Sequence, residues 1–180
     1  MEKSLSTGSR YTGTPLRVED CEAIQCWVEQ YYSKLFAVAL AILNDYYLAQ
    51  DCVQESLVKA GVNRHKLRDR DKTLAWLCAI VRNECRSILR SNWRRRIKLS
   101  AEPIDLHKGD EVSPEHLEMY QVILMLPKQY REVVVLHYIN ELPLRDTAKI
   151  LRIRENTCRV RLHRARQTLK KLLEEEGYRR

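Results

Sequence analysis

Apolar positions recur at steps of three and four along most of the chain, which is the spacing of amphipathic helices. Residues 1–20 lack this rhythm and are rich in Ser, Thr and Gly, so they read as a loose tail. Helical patterning begins near Asp20 to Ala23 and strengthens at Tyr31, with Leu35, Val38, Ala39 and Ile42 in register. Asn44-Asp45 interrupts it. A second helix is expected from about Tyr46 to Ala60, with Ala49, Val53, Leu57 and Ala60 on one side and Gly61 as its C-terminal cap. The polar stretch Asn63 to Lys72 predicts a loop. A third helix follows from about Thr73 to Arg94. Leu74, Leu77, Cys78, Val81, Cys85, Ile88 and Leu89 form its inner face, and Arg82, Arg86 and Arg90 its outer face.

Residues 99–112 contain Pro103 and Gly109 and sustain no pattern, so they predict a flexible linker. It separates a first domain, residues 21–98, from a second, residues 113–176. Ser113-Pro114 reads as the N-cap and first residue of a helix running to about Leu126. Pro127 restarts the chain, and further helices are expected at about Lys128–Tyr138, Leu144–Leu151 and Glu155–Glu175. The one strand-like run, Val133 to Leu136, has helical flanks. The fold class is therefore all-α, built as two small helical domains. Only 5 Gly and 5 Pro in 180 residues argue against a turn-rich β fold, and no Gly-rich phosphate loop is present.

Charge adds a partner. Lys and Arg number 32 against 24 Asp and Glu, a net +8. The excess is concentrated: Glu84 is the only acid between Arg82 and Lys98, and Glu155 the only one between Arg152 and Lys171. Two basic stripes on two domains point to two contacts on one polyanion. The longest apolar run, Leu35 to Leu43, is half of a bilayer span, and the N-terminus has no apolar signal region, so a cytoplasmic protein is expected. Its six cysteines should then be thiols. Cys52, Cys78, Cys85 and Cys158 read as small core residues, and Cys21 and Cys26 as the pair to test for redox behaviour. No C-x-x-C pair or converging histidines suggest a metal, and no cofactor or catalytic constellation is visible.

The last sixty residues carry the sharpest local signal. A short helix (Leu144–Leu151), a tight turn (Arg152–Arg154) and a basic helix make a helix-turn-helix. On the basic helix, Cys158, Leu162, Ala165 and Leu169 face inward. Asn156, Thr157, Arg159, Val160, His163, Arg164 and Gln167 face outward, where Arg suits guanine or phosphate and Asn suits adenine.

Four stretches resemble the bacterial sigma-70 family, in the family's order. Leu126-Pro127-Lys128-Gln129-Tyr130-Arg131-Glu132 resembles the opening of region 4, and Asn156-Thr157-Cys158-Arg159-Val160-Arg161-Leu162-His163-Arg164-Ala165-Arg166 its recognition helix. Asp51-Cys52-Val53-Gln54-Glu55 resembles the region 2 signature, and Trp76-Leu77 through Arg82-Asn83 the stretch after it. With no room for a region 3, the resemblance is to the extracytoplasmic-function (ECF, group IV) branch. It implies a non-enzymatic transcription initiation factor. Asp51, Gln54 and Glu55 would dock on the β′ clamp helices of core RNA polymerase, whose β flap is a further implied contact. Arg82, Asn83, Arg86, Arg90, Arg94, Arg95 and Arg96 would hold the −10 DNA, with an unpaired base pocketed in the Asn63–Lys72 loop. Asn156, Thr157, Arg159, Val160, Arg161, His163, Arg164 and Gln167 would bind the −35 element. An anti-sigma factor, commonly membrane-anchored, is implied as a partner. Trp76 is expected in the core and Trp93 as an exposed aromatic. The sequence departs from the family in Asp146-Thr147-Ala148 for Glu-Ile-Ala, Arg152 for the turn glycine, Cys158 for Val and Pro143 for a Ser or Thr cap. The alternative is a helix-turn-helix regulator that binds an operator without polymerase; it leaves the Asp51–Glu55 motif unexplained.

Overall fold

The computed structural model describes residues 17–96 and 114–175, with side chains for 17–91 and 120–174. The linker expected at 99–112 and the proposed Ser113 cap lie outside these residues. The described elements are all helical: α1 (Val18–Leu43), α2 (Tyr46–Val62), α3 (Thr73–Arg96), α4 (Pro114–Met125), α5 (Lys128–Val134), α6 (Leu144–Leu151) and α7 (Glu155–Glu175). Two 3₁₀ turns, Arg64–Lys66 and Arg70–Lys72, occupy the loop between α2 and α3, and a π-helical turn, Val135–Ile139, extends α5. The run Val133 to Leu136 is thus helical throughout.

Helix α1 begins at Val18, inside the stretch read as tail. Its start is fixed locally and at long range. The Arg17 N–H donates to the Asp20 carboxylate at 3.0 Å, and Arg64 Nε, from the far end of α2, donates to the same carboxylate at 2.7 Å. These bonds hold the Asp20 carboxyl below its usual range, the backbone bond contributing most. At the other end Asn44 takes a left-handed conformation (φ 55°) and returns its N–H to Leu40 O at 2.8 Å. Asp45 then caps α2 by accepting from Leu48 N at 2.9 Å.

Gly61 does not cap α2. The helix continues to Val62 and ends at Asn63, whose side-chain amide donates to Lys59 O at 2.8 Å. Gly61 is buried in the last turn because α1 crosses there: a Cβ would lie 2.6 Å from Ile24 Cδ1. Its role is close helix approach.

Helices α1, α2 and α3 pack together as the first domain, and α4 to α7 with the π turn form the second. The two domains pack on each other, α1 against α5 and the π turn, α3 against α6. Every residue from Leu35 to Leu43 is buried. A helix apolar on all sides needs cover on all sides, and here the second domain supplies what α2 and α3 leave open. Burying a large apolar side chain is worth about 1.5–3 kcal/mol. Cys52, Cys78, Cys85 and Cys158 are core residues, as expected from sequence. Cys52 Sγ and Cys85 Sγ touch at 3.4 Å between α2 and α3; that contact, and burial after it, push the Cys85 thiol far up, which makes it inert.

Candidate polymerase and nucleic-acid interfaces

On α2, Asp51 and Gln54 are exposed and lie on one helical face, three residues apart. Glu55 is half-buried and pairs with Lys59 Nζ at 2.9 Å, which also reaches Glu84 of α3 at 2.7 Å. Burial pushes the Lys59 ammonium down, but the bonds to Glu84 and Glu55 outweigh it and the net shift is upward. Glu55 is therefore tied into the domain, while Asp51 and Gln54 are presented. Tyr47, 54% exposed, lies one turn before Asp51 on the same stripe. Sequence reasoning passed over it, although an aromatic at the fourth position before an acid on a polar face was there to see.

On α3, Asn83, Arg86 and Arg90 are exposed. Arg82 is not, and the expected outer face needs correction at this position. Its side chain is 1% exposed, and Nη2 donates to Leu151 O, at the end of α6, at 2.7 Å. Periodicity places Arg82 away from its own domain's core, but the second domain covers that end of the face. Burial, then the neighbouring Arg86 charge, lowers its pKa to about 10, with Glu132 acting the other way. Arg94, Arg95 and Arg96 belong to the last turn of α3, where side chains lie outside the described residues, as does that of Trp93.

The Asn63–Lys72 loop borders a cavity of about 490 Å³. Leu67, Ala75, Trp76 and Ala79 line it with apolar surface, and Lys66, Arg68, Asp69 and Lys72 bring charges of both signs. Its other wall comes from the second domain: Asp146, Lys149, Ile150 and Arg152. Trp76 does two things: it meets Trp27 edge-on at 5.8 Å within the domain, and it lines this cavity.

The helix-turn-helix is formed by α6 and α7. Arg152, where the sequence resemblance implies a glycine, takes the left-handed conformation that glycine would (φ 55°, ψ 45°). Its N–H bonds Lys149 O at 3.1 Å, and Ile153 N–H bonds Ala148 O at 3.0 Å, so the turn geometry is kept. An L-residue with a Cβ is strained there by about 1–2 kcal/mol. Arg152 Nη2 also reaches Asn83 Oδ1 of the first domain at 3.5 Å. Relief of strain should exceed this weak exposed contact, so Arg152→Gly is expected to raise Tm by about 2–4 °C. A thermal melt that falls instead would show the Asn83 contact to be the stronger term. Pro143 precedes α6 without a side-chain cap, and Thr147 is buried, its hydroxyl 3.5 Å from Leu142 O.

Cys158, Leu162 and Ala165 of α7 are buried. Asn156, Thr157, Arg159, Val160, His163, Arg164 and Gln167 are exposed, and Arg161 is half-buried. The structure thus brings the predicted −35 residues to one solvent face, with Arg161 at its border. Cys21 and Cys26 are exposed free thiols near the start of α1.

The family model for Sigma-70 region 2 matches residues 27–95, and that for Sigma-70, region 4 matches residues 116–169. The ECF RNA polymerase sigma factor SigM of Bacillus subtilis (strain 168) is 30% identical over 150 residues, which cover 80% of this chain and 91% of the relative. SigW of the same organism is 31% identical over 169 residues, 86% of this chain and 90% of the relative. The chain belongs to the ECF RNA polymerase sigma factors. Among solved structures, the sigma factor RpoE in complex with the anti-sigma factor NepR from Bartonella quintana superposes with a TM-score of 0.71, at 25% identity, over 83% of this chain and 96% of that one. CnrH, solved with the cytosolic domain of CnrY, shares the fold with a TM-score of 0.60 at 24% identity, over 90% of this chain and 99% of that one. As an ECF sigma factor the protein directs RNA polymerase to promoters, and this is not a catalytic role. No described helix of this sigma factor is long and apolar enough to cross a membrane.

Proposed function

We propose that the protein docks on the β′ clamp helices of core polymerase through the Asp51–Gln54 face, flanked by Glu55, and on the β flap through its second domain. The −10 element then lies along α3. Asn83, Arg86 and Arg90, with Arg94 to Arg96 beyond them and Arg82 once it is uncovered, meet the melted strand. Guanidinium contacts to phosphate give affinity without sequence information. The cavity behind the Asn63–Lys72 loop takes an unpaired base, with Trp76 and the alanines offering an apolar wall. The exposed face of α7 reads the −35 element in the major groove. An anti-sigma factor holds the protein inactive, as suggested by its likeness to RpoE solved with NepR. The protein acts in the cytoplasm, at the inner membrane face where that partner is membrane-anchored.

The observation that carries this reading is the pairing of an exposed acid-and-amide face on α2 with two exposed cationic faces on separate domains. Free protein is expected to shift promoter DNA weakly, and core polymerase to add at least about tenfold in apparent affinity through linked sites. A gel shift with and without core tests this. Tight, sequence-specific binding by the free protein would favour the operator-binding regulator instead.

A further inference from the structure

We propose that Val160 is a specificity-determining residue that packs its methyl groups on the C5-methyl group of a thymine in the −35 element. This rests on the −35 reading of α7 above, and names a base feature that the helix selects.

The placement of Val160 is at odds with its chemistry. It is 42% exposed, on a stretch of α7 whose other exposed residues are Asn156, Thr157, Arg159, His163 and Arg164. At about 100° per residue, Val160 points within about 15° of the direction opposite the mean of the buried Cys158, Leu162 and Ala165. It therefore stands at the crest of the exposed face. Leu173, also apolar and exposed on α7, differs: it lies about 50° from that buried mean and extends the inner stripe.

Folding does not account for a valine at the crest. Helix α7 enters the apolar core through Cys158, Leu162 and Ala165, with Leu169 and Leu172 partly buried against it. Val160 is not part of that cluster. A β-branched residue is also a poorer helix former than the Ala, Lys, Arg or Gln that an exposed position admits. Its neighbours one turn before and after, Asn156 and Arg164, are polar and exposed as well.

The major groove supplies a partner. Valine has no side-chain donor or acceptor, so it can bond neither a phosphate nor a polar base edge. The apolar group that the major groove displays is the thymine C5-methyl. A recognition helix brings its N-terminal residues to the base edges, and Val160 lies in the second turn of α7, which starts at Glu155. Asn156 and Arg164 flank it with groups that bond base edges or phosphates. A valine in a helix is held near one χ1 rotamer, so little freedom is lost when the methyl groups meet. A cytosine at the same place offers no methyl group and an amino donor that valine cannot satisfy, so the contact selects T·A over C·G.

The test uses holoenzyme formed with wild type or Val160→Ala. Its probe is a promoter chosen by run-off transcription, with the −35 thymines of either strand replaced one at a time by deoxyuridine. Deoxyuridine pairs as thymidine does and lacks only the methyl group. In gel shifts at fixed salt, one replacement should weaken wild-type binding about fourfold, the value of one buried methyl group. Val160→Ala should bind the thymine promoter about fourfold more weakly and should lose most of the response to deoxyuridine at that position. At that position 5-methylcytosine should bind wild type better than cytosine does. Thermal melts of the variant should match wild type because the side chain is exposed, and the deoxyuridine series on wild type needs no variant at all. Wild-type binding unchanged by deoxyuridine at every −35 thymine, or reduced equally in Val160→Ala, would overturn the proposal. So would a preferred −35 element with no thymine on either strand. Scrambling the −35 element keeps the two readings apart. If scrambling weakens binding and deoxyuridine does not, the −35 reading stands and the methyl contact falls. If scrambling has no effect, both fall.

Discussion

Replacing Asp51 and Gln54 together by alanine is expected to abolish co-elution with core RNA polymerase and to leave the fold intact. Both side chains are exposed, and surface changes of this kind shift stability by less than about 0.5 kcal/mol. Docking is a different matter. Truncating a hot-spot side chain costs about 2 kcal/mol, so losing two hot spots would weaken binding about 1,000-fold. Run-off transcription should fall with it. Glu55→Ala is a poorer choice because Glu55 also pairs with Lys59, which in turn holds Glu84 of α3. Tyr47→Ala is expected to weaken docking without breaking the domain, given its exposure on the same stripe. Co-elution undiminished in a folded double variant would remove α2 from the docking surface.

The helix-turn-helix was the most legible part of the chain. Helices α6 and α7 have the bounds expected for them, because the information is short-range: a proline before α6, and between the two helices a turn whose backbone hydrogen bonds close locally. The misreadings have the opposite origin. Gly61 looks like a cap within its own helix, and only the passage of Ile24, from another helix, explains it. Arg82 shares the periodicity of Arg86 and Arg90, and periodicity says only which side of α3 faces away from its own core. One signal for the interdomain packing was present. Leu35 to Leu43 has no polar stripe, so a helix standing in a three-helix domain with one wet face was already excluded. Length served only to exclude a membrane span. The same run also announced that something else must cover α1.

Substitutions along α7 should separate base reading from phosphate attraction. Asn156 and Arg159 lie in the first turns of the recognition helix, where side chains reach base edges. Asn156→Ala or Arg159→Ala is expected to reduce run-off transcription from −35-dependent promoters by about 10- to 100-fold, since a specific base contact is worth about 1–3 kcal/mol. The loss should be confined to promoters carrying the preferred base at the contacted position. Arg159 gives up only an exposed, 3.4 Å pairing with Glu155 in the process, so stability should hold. Lys170→Ala and Lys171→Ala, further along the helix, should behave otherwise: a uniform weakening at all promoters, with the slope of the salt dependence reduced by about one unit for each phosphate no longer neutralised. Holoenzyme binding measured across a salt series, on promoters differing only in the −35 element, distinguishes the two. If Asn156→Ala and Arg159→Ala weakened every promoter equally, the first turns of α7 would be touching the backbone, and sequence reading would have to come from further along the exposed face, at His163, Arg164 or Gln167.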